Sequence, residues 1–214
     1  MSMENELALP VPPLVLIVSG PSGSGKSTLV QKILELPGTM PSISCTTRPR
    51  RATESRGKCY DFVTDAEFNA MVARGEFLEY ARVFGKHSYG TPKKWLEESR
   101  KKNLDLVLEI DVQGAAQVKE KVPESVAIFI LPPSRAELER RLRGRGQDSN
   151  EEIARRLARA REEISAFGRY YDFCVVNDDV QRAGREAQSI LIALRCSRVR
   201  RRARVEELLA SFGG

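Results

Sequence analysis

A glycine-rich segment near the N-terminus carries the clearest chemical signal, because residues 20–27 match the P-loop pattern. Its glycines let the backbone curl so that successive N–H groups face one phosphate chain, and the following helix adds partial positive charge. The spacing places Lys26 at the β- and γ-phosphates and the Ser27 hydroxyl on Mg²⁺. An apolar run before the segment and a helical pattern after it favour this interpretation over an incidental Gly/Ser-rich turn. The predicted phosphate-binding residues are Gly20, Pro21, Ser22, Gly23, Ser24, Gly25, Lys26, Ser27 and Thr28.

A P-loop alone does not identify the reaction, because motor proteins, GTPases, transporters and small-molecule kinases all use one. Six later segments of the chain provide further information about the reaction. They lie at residues 44–62, 79–81, 89–91, 108–114, 142–146 and 176–179. In order and spacing, roughly from Val15 to Asp179, the chain resembles the guanylate kinases. The resemblance implies transfer of the γ-phosphoryl group of ATP to GMP, and to dGMP as a second acceptor. Such an enzyme serves guanine nucleotide recycling and GTP supply.

Two closely spaced arginines suit the phosphate of the acceptor nucleotide, because guanidinium groups match phosphate oxygens bidentately. The resemblance implies that Arg48 and Arg51 hold the GMP phosphate and that the hydroxyls of Tyr60 and Tyr89 add hydrogen bonds. Taken singly, an arginine-rich loop is usually a solvated face, and a tyrosine such as Tyr60 is often half-buried packing.

The base of the acceptor needs an acceptor for guanine N1–H and its 2-amino group, and a donor for O6. By resemblance Glu79 accepts the first two bonds, the Thr91 hydroxyl donates the third, and Ser44 lies close to the base. Adenine presents a lone pair at N1 and leaves the carboxylate unpaired, so such a site rejects it. Helix capping is the alternative role for Thr91, and the two roles are compatible.

Phosphoryl transfer has a loose, charge-spread transition state, so it needs cations and positioning groups rather than a general base. Lys26 and Mg²⁺ neutralise charge on one side. The resemblance implies that arginines of a closing lid converge on the transferred group and that closure excludes water. The predicted catalytic residues are Lys26, Arg141, Arg145 and Arg156.

Two acidic residues end a predicted buried strand, where ligands gather in open α/β sheets. Asp111 is expected to hold metal-bound water or the acceptor base, and Glu109 faces the same side of an extended strand. Strand-end solvation is the alternative for both. By resemblance, Asn177 contacts the adenine of ATP. The predicted GMP-binding residues are Ser44, Arg48, Arg51, Tyr60, Glu79, Tyr89, Thr91, Glu109 and Asp111.

Apolar runs alternate with helical patterns, which predicts a parallel sheet with helices on both faces. The predicted strands are Leu14–Ser19, Leu104–Ile110, Val126–Leu131 and Phe173–Val176. The fold class is therefore α/β, and the resemblance implies the three-layer P-loop kinase fold.

The expected domain organisation is a flexible tail followed by one domain with two inserted parts. We expect the tail at residues 1–13 and the domain at 14–214. Its parts are a core at about 14–45, 92–138 and 165–214, a GMP-binding lobe at about 46–91 and a helical lid at about 139–164.

Helix boundaries carry local signals. Residues 64–67 have capping-box spacing, and Gly75 can close the helix that they open. Thr91 and the proline after it predict a further helix start. Ser134 opens another helix, and an arginine-rich helix is expected from about Asn150 to Ile164.

Composition indicates an ordinary globular chain, with 41% hydrophobic and 30% charged residues. The longest apolar stretches are too short to span a bilayer. The first residues lack a cationic region, so we expect no signal peptide and a cytoplasmic location. Four cysteines without paired spacing and a single histidine predict buried or inert thiols rather than a zinc site. The histidine, His87, is expected in an exposed loop that is one residue longer than the usual family spacing.

Basic charge is concentrated at the C-terminus. Of the net charge of +6, a surplus of four arises from Arg195 onward, where six arginines face two glutamates. Apolar residues in this segment have helical spacing and predict a terminal helix packed on the core with a solvated basic face. A subunit contact that forms a homo-oligomer is the main alternative, and nucleic-acid binding is a third.

Three other functions compete with this interpretation. A kinase for another nucleoside monophosphate would not satisfy the Glu79 carboxylate. A guanylate-kinase-like scaffold domain that binds protein ligands often lacks a working P-loop, whereas here residues 25–27 are intact. An RNA-binding protein that uses the basic tail would show strongly salt-dependent affinity for RNA.

Overall fold

A five-stranded parallel sheet forms the centre of the computed structural model, which describes residues 13–50, 60–83, 87–144 and 149–212. Its strand order is β2-β7-β1-β8-β9. The strands are β1 (Val15–Ser19), β2 (Thr39–Pro41), β7 (Asp105–Glu109), β8 (Val126–Leu131) and β9 (Phe173–Val176). Two of the four predicted strands have the predicted bounds and the other two are slightly shorter, so this part of the sequence prediction is confirmed.

A smaller sheet with strand order β4-β3-β6-β5 lies in the segment between β2 and β7. Its strands are β3 (Cys45–Thr46), β4 (Asp61–Phe62), β5 (Phe77–Val83) and β6 (His87–Pro92). β5 and β6 pair antiparallel, with an irregular register between Phe77 and Glu79. His87 is the first residue of β6 and is half-buried, so its expected place in an exposed loop is wrong.

Helices cover both faces of the central sheet. The described helices are α1 (Lys26–Leu34), α2 (Asp65–Ala73), α3 (Lys94–Lys102), α4 (Val112–Lys121), α5 (Arg135–Arg143), α6 (Asn150–Ser165), α7 (Phe167–Tyr170), α8 (Val180–Arg195) and α9 (Arg198–Ser211). Alternate residues of β1 divide the core, because Leu16 and Val18 pack with α1 and α8, whereas Val15 and Ile17 pack with α4. The three-layer α/β architecture is therefore confirmed. Among the described helices, none combines the length and apolar character needed to cross a membrane.

Local capping signals account for several helix starts. Thr64 and Glu67 form the predicted capping box of α2, and the Ser134 hydroxyl accepts from Glu137 N at the start of α5. The capping prediction for Thr91 is wrong, since this residue lies in β6 and α3 begins at Lys94 without a side-chain cap. Thr91 is instead held in the strand by its pairing with Glu79.

The C-terminal helix α9 has no buried residue, so the expectation that it packs on the core is wrong. Val205, Leu209 and Phe212 are 53%, 65% and 79% exposed. Helical spacing of apolar residues determines that they share a face, but it does not determine what covers that face. Only the first part of α9 approaches the body of the chain, where desolvation lowers the pKa of Arg200.

Cys45 agrees with the prediction of buried or inert thiols. Cys45 is buried, and burial raises the pKa of its thiol to about 11, so it stays protonated and unreactive near neutral pH. Cys174 and Cys196 are exposed, and Cys59 lies outside the described residues.

Candidate active site

The loop between β1 and α1 has a backbone shape that requires glycine. Gly20 and Gly25 have φ values of 140° and 93°. A Cβ on Gly20 would lie 2.3 Å from the Ile130 carbonyl oxygen, and one on Gly25 would lie 2.1 Å from Asn177 Nδ2. The loop is therefore held tightly against the end of β8 and against Asn177.

Two functional side chains begin α1 directly after this loop. Lys26 Nζ donates to the carbonyl oxygens of Gly20 (2.7 Å) and Pro21 (3.0 Å), so the ammonium group curls back over the loop. Ser27 Oγ donates to Glu109 Oε1 at 2.6 Å. The side chains of Ser27 and Glu109 meet because Glu109 ends β7, and β7 is the neighbour of β1 in the sheet.

The oxygen atoms of Ser27 and Glu109 are donors of the kind that a hard divalent cation prefers. Asp111, the other predicted metal-site residue, lies two residues after Glu109 and is the N-cap of α4. Within the described residues, no group of three or more His, Cys, Asp or Glu side chains could hold a metal ion by itself. The Ser27 and Glu109 oxygens fit a cation that takes its remaining ligands from substrate phosphates and water.

Asn177 supports the P-loop from below. Its side chain is 2% exposed, and Nδ2 donates to the Ser24 carbonyl oxygen at 2.8 Å. This deeply buried side chain therefore supports the P-loop backbone, and its contact with the adenine of ATP stays a prediction. Arg141 reaches the same place, because Nη2 donates to the Asn177 carbonyl oxygen at 2.8 Å and Nε pairs with Glu137 at 2.7 Å. Arg141 is thus bonded beside the P-loop, with its charge already paired.

The paired helices α5 and α6 form a small unit that lies against the P-loop. Leu138 and Leu142 of α5 pack with Ile153 and Ala160 of α6. A Cβ on Gly23 of the P-loop would lie 3.0 Å from Leu138 Cδ1 and 3.1 Å from Leu142 Cδ2. Apolar packing therefore holds this predicted lid close to the phosphate loop.

Basic residues of α6 reach the central sheet. Arg156 Nη1 donates to Ser22 Oγ at 3.3 Å. Arg159 Nη2 donates to Asp111 Oδ2 at 3.1 Å, and its Nε pairs with Glu163 at 2.9 Å. Burial raises the pKa of Glu163 against the opposing effect of its bond with Arg159. Of the predicted lid arginines, Arg141 and Arg156 therefore lie at the P-loop.

Asp111 connects this region to α4. Its Oδ1 accepts from Gly114 N at 2.9 Å and caps the helix, while Oδ2 accepts from Arg159. The carboxylate thus lies at the carboxyl end of the central sheet, as the sequence predicted, between the P-loop side and the second sheet.

Arg48 lies among aromatic rings in the second sheet. Its guanidinium carbon lies 5.6 Å from the ring centroid of Tyr60 and 5.7 Å from that of Phe62, and Nη1 donates to the Pro49 carbonyl oxygen at 2.9 Å. The rings of Tyr60 and Tyr89 meet edge to face with their centroids 5.7 Å apart. The structure therefore brings together Arg48, Tyr60 and Tyr89, three of the residues predicted to hold the GMP phosphate.

A buried carboxylate lies on β5. Glu79 is 4% exposed, and Thr91 Oγ1 donates to its Oε1 at 2.6 Å. Burial raises the pKa of Glu79 to about 7, the Thr91 hydrogen bond lowers it, and the nearby charge of Asp111 adds to the increase. The Glu79 carboxyl group therefore gains or loses its proton near neutral pH, in a site with little water.

The hydroxyl of Thr91 has a different partner from the predicted one. A hydroxyl has a single proton, and in Thr91 it is donated to Glu79 while Thr91 itself is fully buried. In this structure Thr91 therefore orients Glu79, and its bond to guanine O6 stays a prediction. Ser44 Oγ lies 3.1 Å from Thr91 Oγ1 and extends this polar chain.

Two predicted residues, Arg51 and Arg145, lie outside the described residues. Two unpredicted residues, Arg159 and Glu163, lie at the junction of α6 with Asp111. Their spacing of four residues on a predicted helix was the available signal, but that spacing is typical of any surface ion pair. Only the packing of α6 onto the sheet turns it into part of a candidate site.

Comparison with known proteins agrees with this arrangement. A family model described as guanylate kinase matches residues 13–194. The chain is 46% identical over 204 residues to a guanylate kinase of Myxococcus xanthus, covering 95% of this chain and 96% of the relative. It is 50% identical over 190 residues to one of Syntrophotalea carbinolica, covering 87% and 90%. A crystal structure of guanylate kinase from Anaplasma phagocytophilum superposes with a TM-score of 0.74 at 36% identity, covering 89% and 90% of the two chains. The chain belongs to the guanylate kinase family.

Proposed function

We propose that this chain transfers the γ-phosphoryl group of ATP to GMP, giving ADP and GDP, with a P-loop for ATP and a buried carboxylate for guanine. The observation that carries the proposal is Glu79, a buried carboxylate that the Thr91 hydroxyl orients and that forms no ion pair with any described side chain. Burying this carboxylate costs free energy, and hydrogen-bond donors on a nucleobase would offset that cost. Guanine presents two, N1–H and the 2-amino group.

The GMP phosphate is proposed to bind beside Arg48, Tyr60 and Tyr89, with Arg51 completing the site. The aromatic rings hold the Arg48 guanidinium at the surface of the second sheet. A guanidinium and two phenol hydroxyls all donate, which matches the acceptor-only oxygens of a phosphate. Ser44 is proposed to contact the base through the same polar chain as Thr91.

The triphosphate is proposed to lie along residues 20–28, with its charge neutralised by Lys26 and by lid arginines. Ser27 and Glu109 are proposed to hold Mg²⁺, with Asp111 reached through water. A bound cation at this position would offset charge on the phosphates of ATP. Lys26, Arg141, Arg145 and Arg156 are proposed to act on the ATP side, and closure of the lid at about residues 139–164 would exclude water from the reacting group.

Acceptor specificity follows from the donor and acceptor pattern of the bases. A carboxylate pairs with guanine N1–H and the 2-amino group, whereas adenine and cytosine present a lone pair at the corresponding ring nitrogen. A buried carboxylate left without a donor costs more free energy than one hydrogen bond contributes. A base that offers no donor at this position is therefore rejected. GMP and dGMP are therefore the proposed acceptors, because both carry the same guanine base and differ at the 2′ position of the sugar.

The remaining expectations are proposals of lower reach. They are a cytoplasmic location, a role in purine nucleotide metabolism, and a homo-oligomer formed through the exposed apolar residues of α9. The core, the GMP-binding lobe at about 46–91 and the lid are proposed to be the parts of the domain that move relative to one another. A scaffold domain without activity is disfavoured by the intact loop and by Lys26, and an RNA-binding tail by the ion pairs of Arg202 and Arg204 with glutamates on α9 itself.

A coupled assay for ADP release tests the proposal directly. The chain is incubated with Mg·ATP and with GMP, dGMP, AMP, CMP or UMP in separate wells. ADP release with the guanine nucleotides alone is the expected result. Release with AMP, CMP or UMP would overturn the base-reading argument. If ATP binds by equilibrium dialysis but no acceptor is phosphorylated, the enzyme function itself is refuted.

A further inference from the structure

The strand that carries Glu79 lies at the edge of the second sheet, with β6 as its only strand neighbour among the described residues. An edge strand leaves one row of backbone N–H and C=O groups without strand partners. Helix α4 lies along this open edge and supplies side chains in place of a further strand. The edge that carries the base-recognising carboxylate is therefore bonded to α4, the helix that Asp111 caps.

Gln117 imitates a neighbouring strand at the residue after Glu79. Its Oε1 accepts from Tyr80 N at 3.2 Å, and its Nε2 donates to the Tyr80 carbonyl oxygen at 2.7 Å. A side-chain amide has the same donor and acceptor groups as a peptide, so one side chain satisfies both backbone groups. This pair of bonds fixes the position and the orientation of the Tyr80 backbone relative to α4.

Lys121 holds the residue before Glu79. Its Nζ donates to the Leu78 carbonyl oxygen at 2.7 Å. Leu78 lies in the irregularity of the β5–β6 register between Phe77 and Glu79. A bulge of this kind redirects the side chains beside it, so the bond from Lys121 stabilises the local shape that directs Glu79.

Gly114 lies beneath the carboxylate itself. A Cβ at this position would come 2.5 Å from Glu79 Oε2 and 3.0 Å from its Cδ. Gly114 N also donates to the capping carboxylate of Asp111 at 2.9 Å. The position therefore leaves space for Glu79 on one side while its backbone bonds Asp111 on the other.

These three residues occur at positions i, i+3 and i+7 of α4, which share one helix face. We propose that Gly114, Gln117 and Lys121 are positioning residues for Glu79, and that this face of α4 sets discrimination in favour of the 2-amino group of guanine. The inference rests on the proposed function and deepens it. None of the three has to touch a substrate, because each acts through Glu79 or its backbone.

Comparison of GMP with IMP isolates this role, because hypoxanthine is guanine without the 2-amino group. We would measure kcat/KM for both nucleotides, their equilibrium binding, and KM for ATP in the unmodified chain and in Gly114→Ala, Gln117→Leu and Lys121→Met. A displaced carboxylate weakens a charge-assisted hydrogen bond to the 2-amino group, so the GMP-to-IMP ratio should fall about tenfold or more in Gly114→Ala. A smaller fall, about threefold to tenfold, is expected for Gln117→Leu, while KM for ATP stays unchanged.

Glu120→Gln is the matched control, since Glu120 lies on the same helix and is exposed. Its GMP-to-IMP ratio should equal that of the unmodified chain. A loss of activity that is equal for GMP and IMP would indicate a merely structural role and would overturn the inference. If Gly114→Ala does not fold, Gln117→Leu and Lys121→Met decide, and an unchanged ratio in both refutes it.

Two different results would refute the proposed function and the role of α4. An unmodified chain that phosphorylates no guanine nucleotide refutes the proposed function, and the inference falls with it. An unmodified chain that prefers GMP over IMP while every α4 variant keeps that preference refutes the inference alone.

Discussion

Replacing Glu79 by glutamine should raise the stability of the chain above neutral pH and at the same time remove its use of GMP. Glutamine has the same shape and can still accept the hydrogen bond from Thr91, but it carries no charge. In the unmodified chain burial raises the Glu79 pKa from its ordinary value of 4.5 to about 7. At about 1.4 kcal/mol for each pKa unit, ionising this group in the folded chain costs about 3 kcal/mol.

The sign of the effect follows from proton binding. Between pH 4.5 and about 7 the folded chain retains the Glu79 proton, whereas the unfolded chain has released it. The stability contributed by this group is therefore complete below the unfolded value, falls as pH rises through the interval, and is constant above it. Glu79→Gln lacks this titration, so its free energy of unfolding should gain on that of the unmodified chain by up to about 3 kcal/mol between about pH 4 and about pH 8.

Urea unfolding at a series of pH values measures this difference, with Glu120→Gln as the control for loss of an exposed carboxylate. In the same variant kcat/KM for GMP should fall about a hundredfold or more, because two hydrogen bonds to a charged acceptor are lost or inverted, while ATP binding is retained. A difference in stability that does not change with pH would refute the raised pKa. Unchanged use of GMP would refute the role of Glu79 in reading the base.

Three further predictions concern other parts of the chain. Lys26→Met should lower kcat about a hundredfold or more at an unchanged melting temperature, and a coupled assay with thermal unfolding checks both; near-normal turnover would remove Lys26 from catalysis. Asp105→Ala should destabilise the fold by about 3–5 kcal/mol, because Asp105 accepts from Leu14 N at 2.6 Å and from Arg195 Nε at 2.8 Å while mostly buried. Urea unfolding tests this against Glu97→Ala, a control at an exposed position of α3, which should change stability by less than about 0.5 kcal/mol. Deletion of residues 202–214 should leave the free energy of unfolding within about 1 kcal/mol, since α9 buries no residue; sedimentation of both forms shows whether α9 joins subunits, and a monomeric intact chain would exclude that contact.

Much of the fold could be predicted from short-range signals. The P-loop spacing, the apolar runs that became β1, β7, β8 and β9, and the capping box at Thr64 each depend on neighbouring residues and backbone geometry. Such features form from interactions within a few residues, so the sequence alone carries the information. The same holds for Gly20 and Gly25, whose positive φ values the loop pattern already required.

The candidate site depended on contacts that no local pattern describes. Thr91 was a plausible helix cap until its pairing with Glu79 placed it in a strand and its proton on a carboxylate. Asn177 became a support for the P-loop because 153 residues of separation are closed by the sheet. Arg159 gained its role only when α6 packed against the end of β7.

The sequence by itself therefore determined the family, four of the five strands of the central sheet, and the chemical types present in the site. Tertiary structure decided which of those groups are buried, and with that the pKa of Glu79, the partner of Thr91 and the exposure of α9. The physical reason is that hydrogen-bond partners and desolvation depend on distant segments brought together by packing. Residue type and spacing specify what a side chain can do, whereas its surroundings determine what it does.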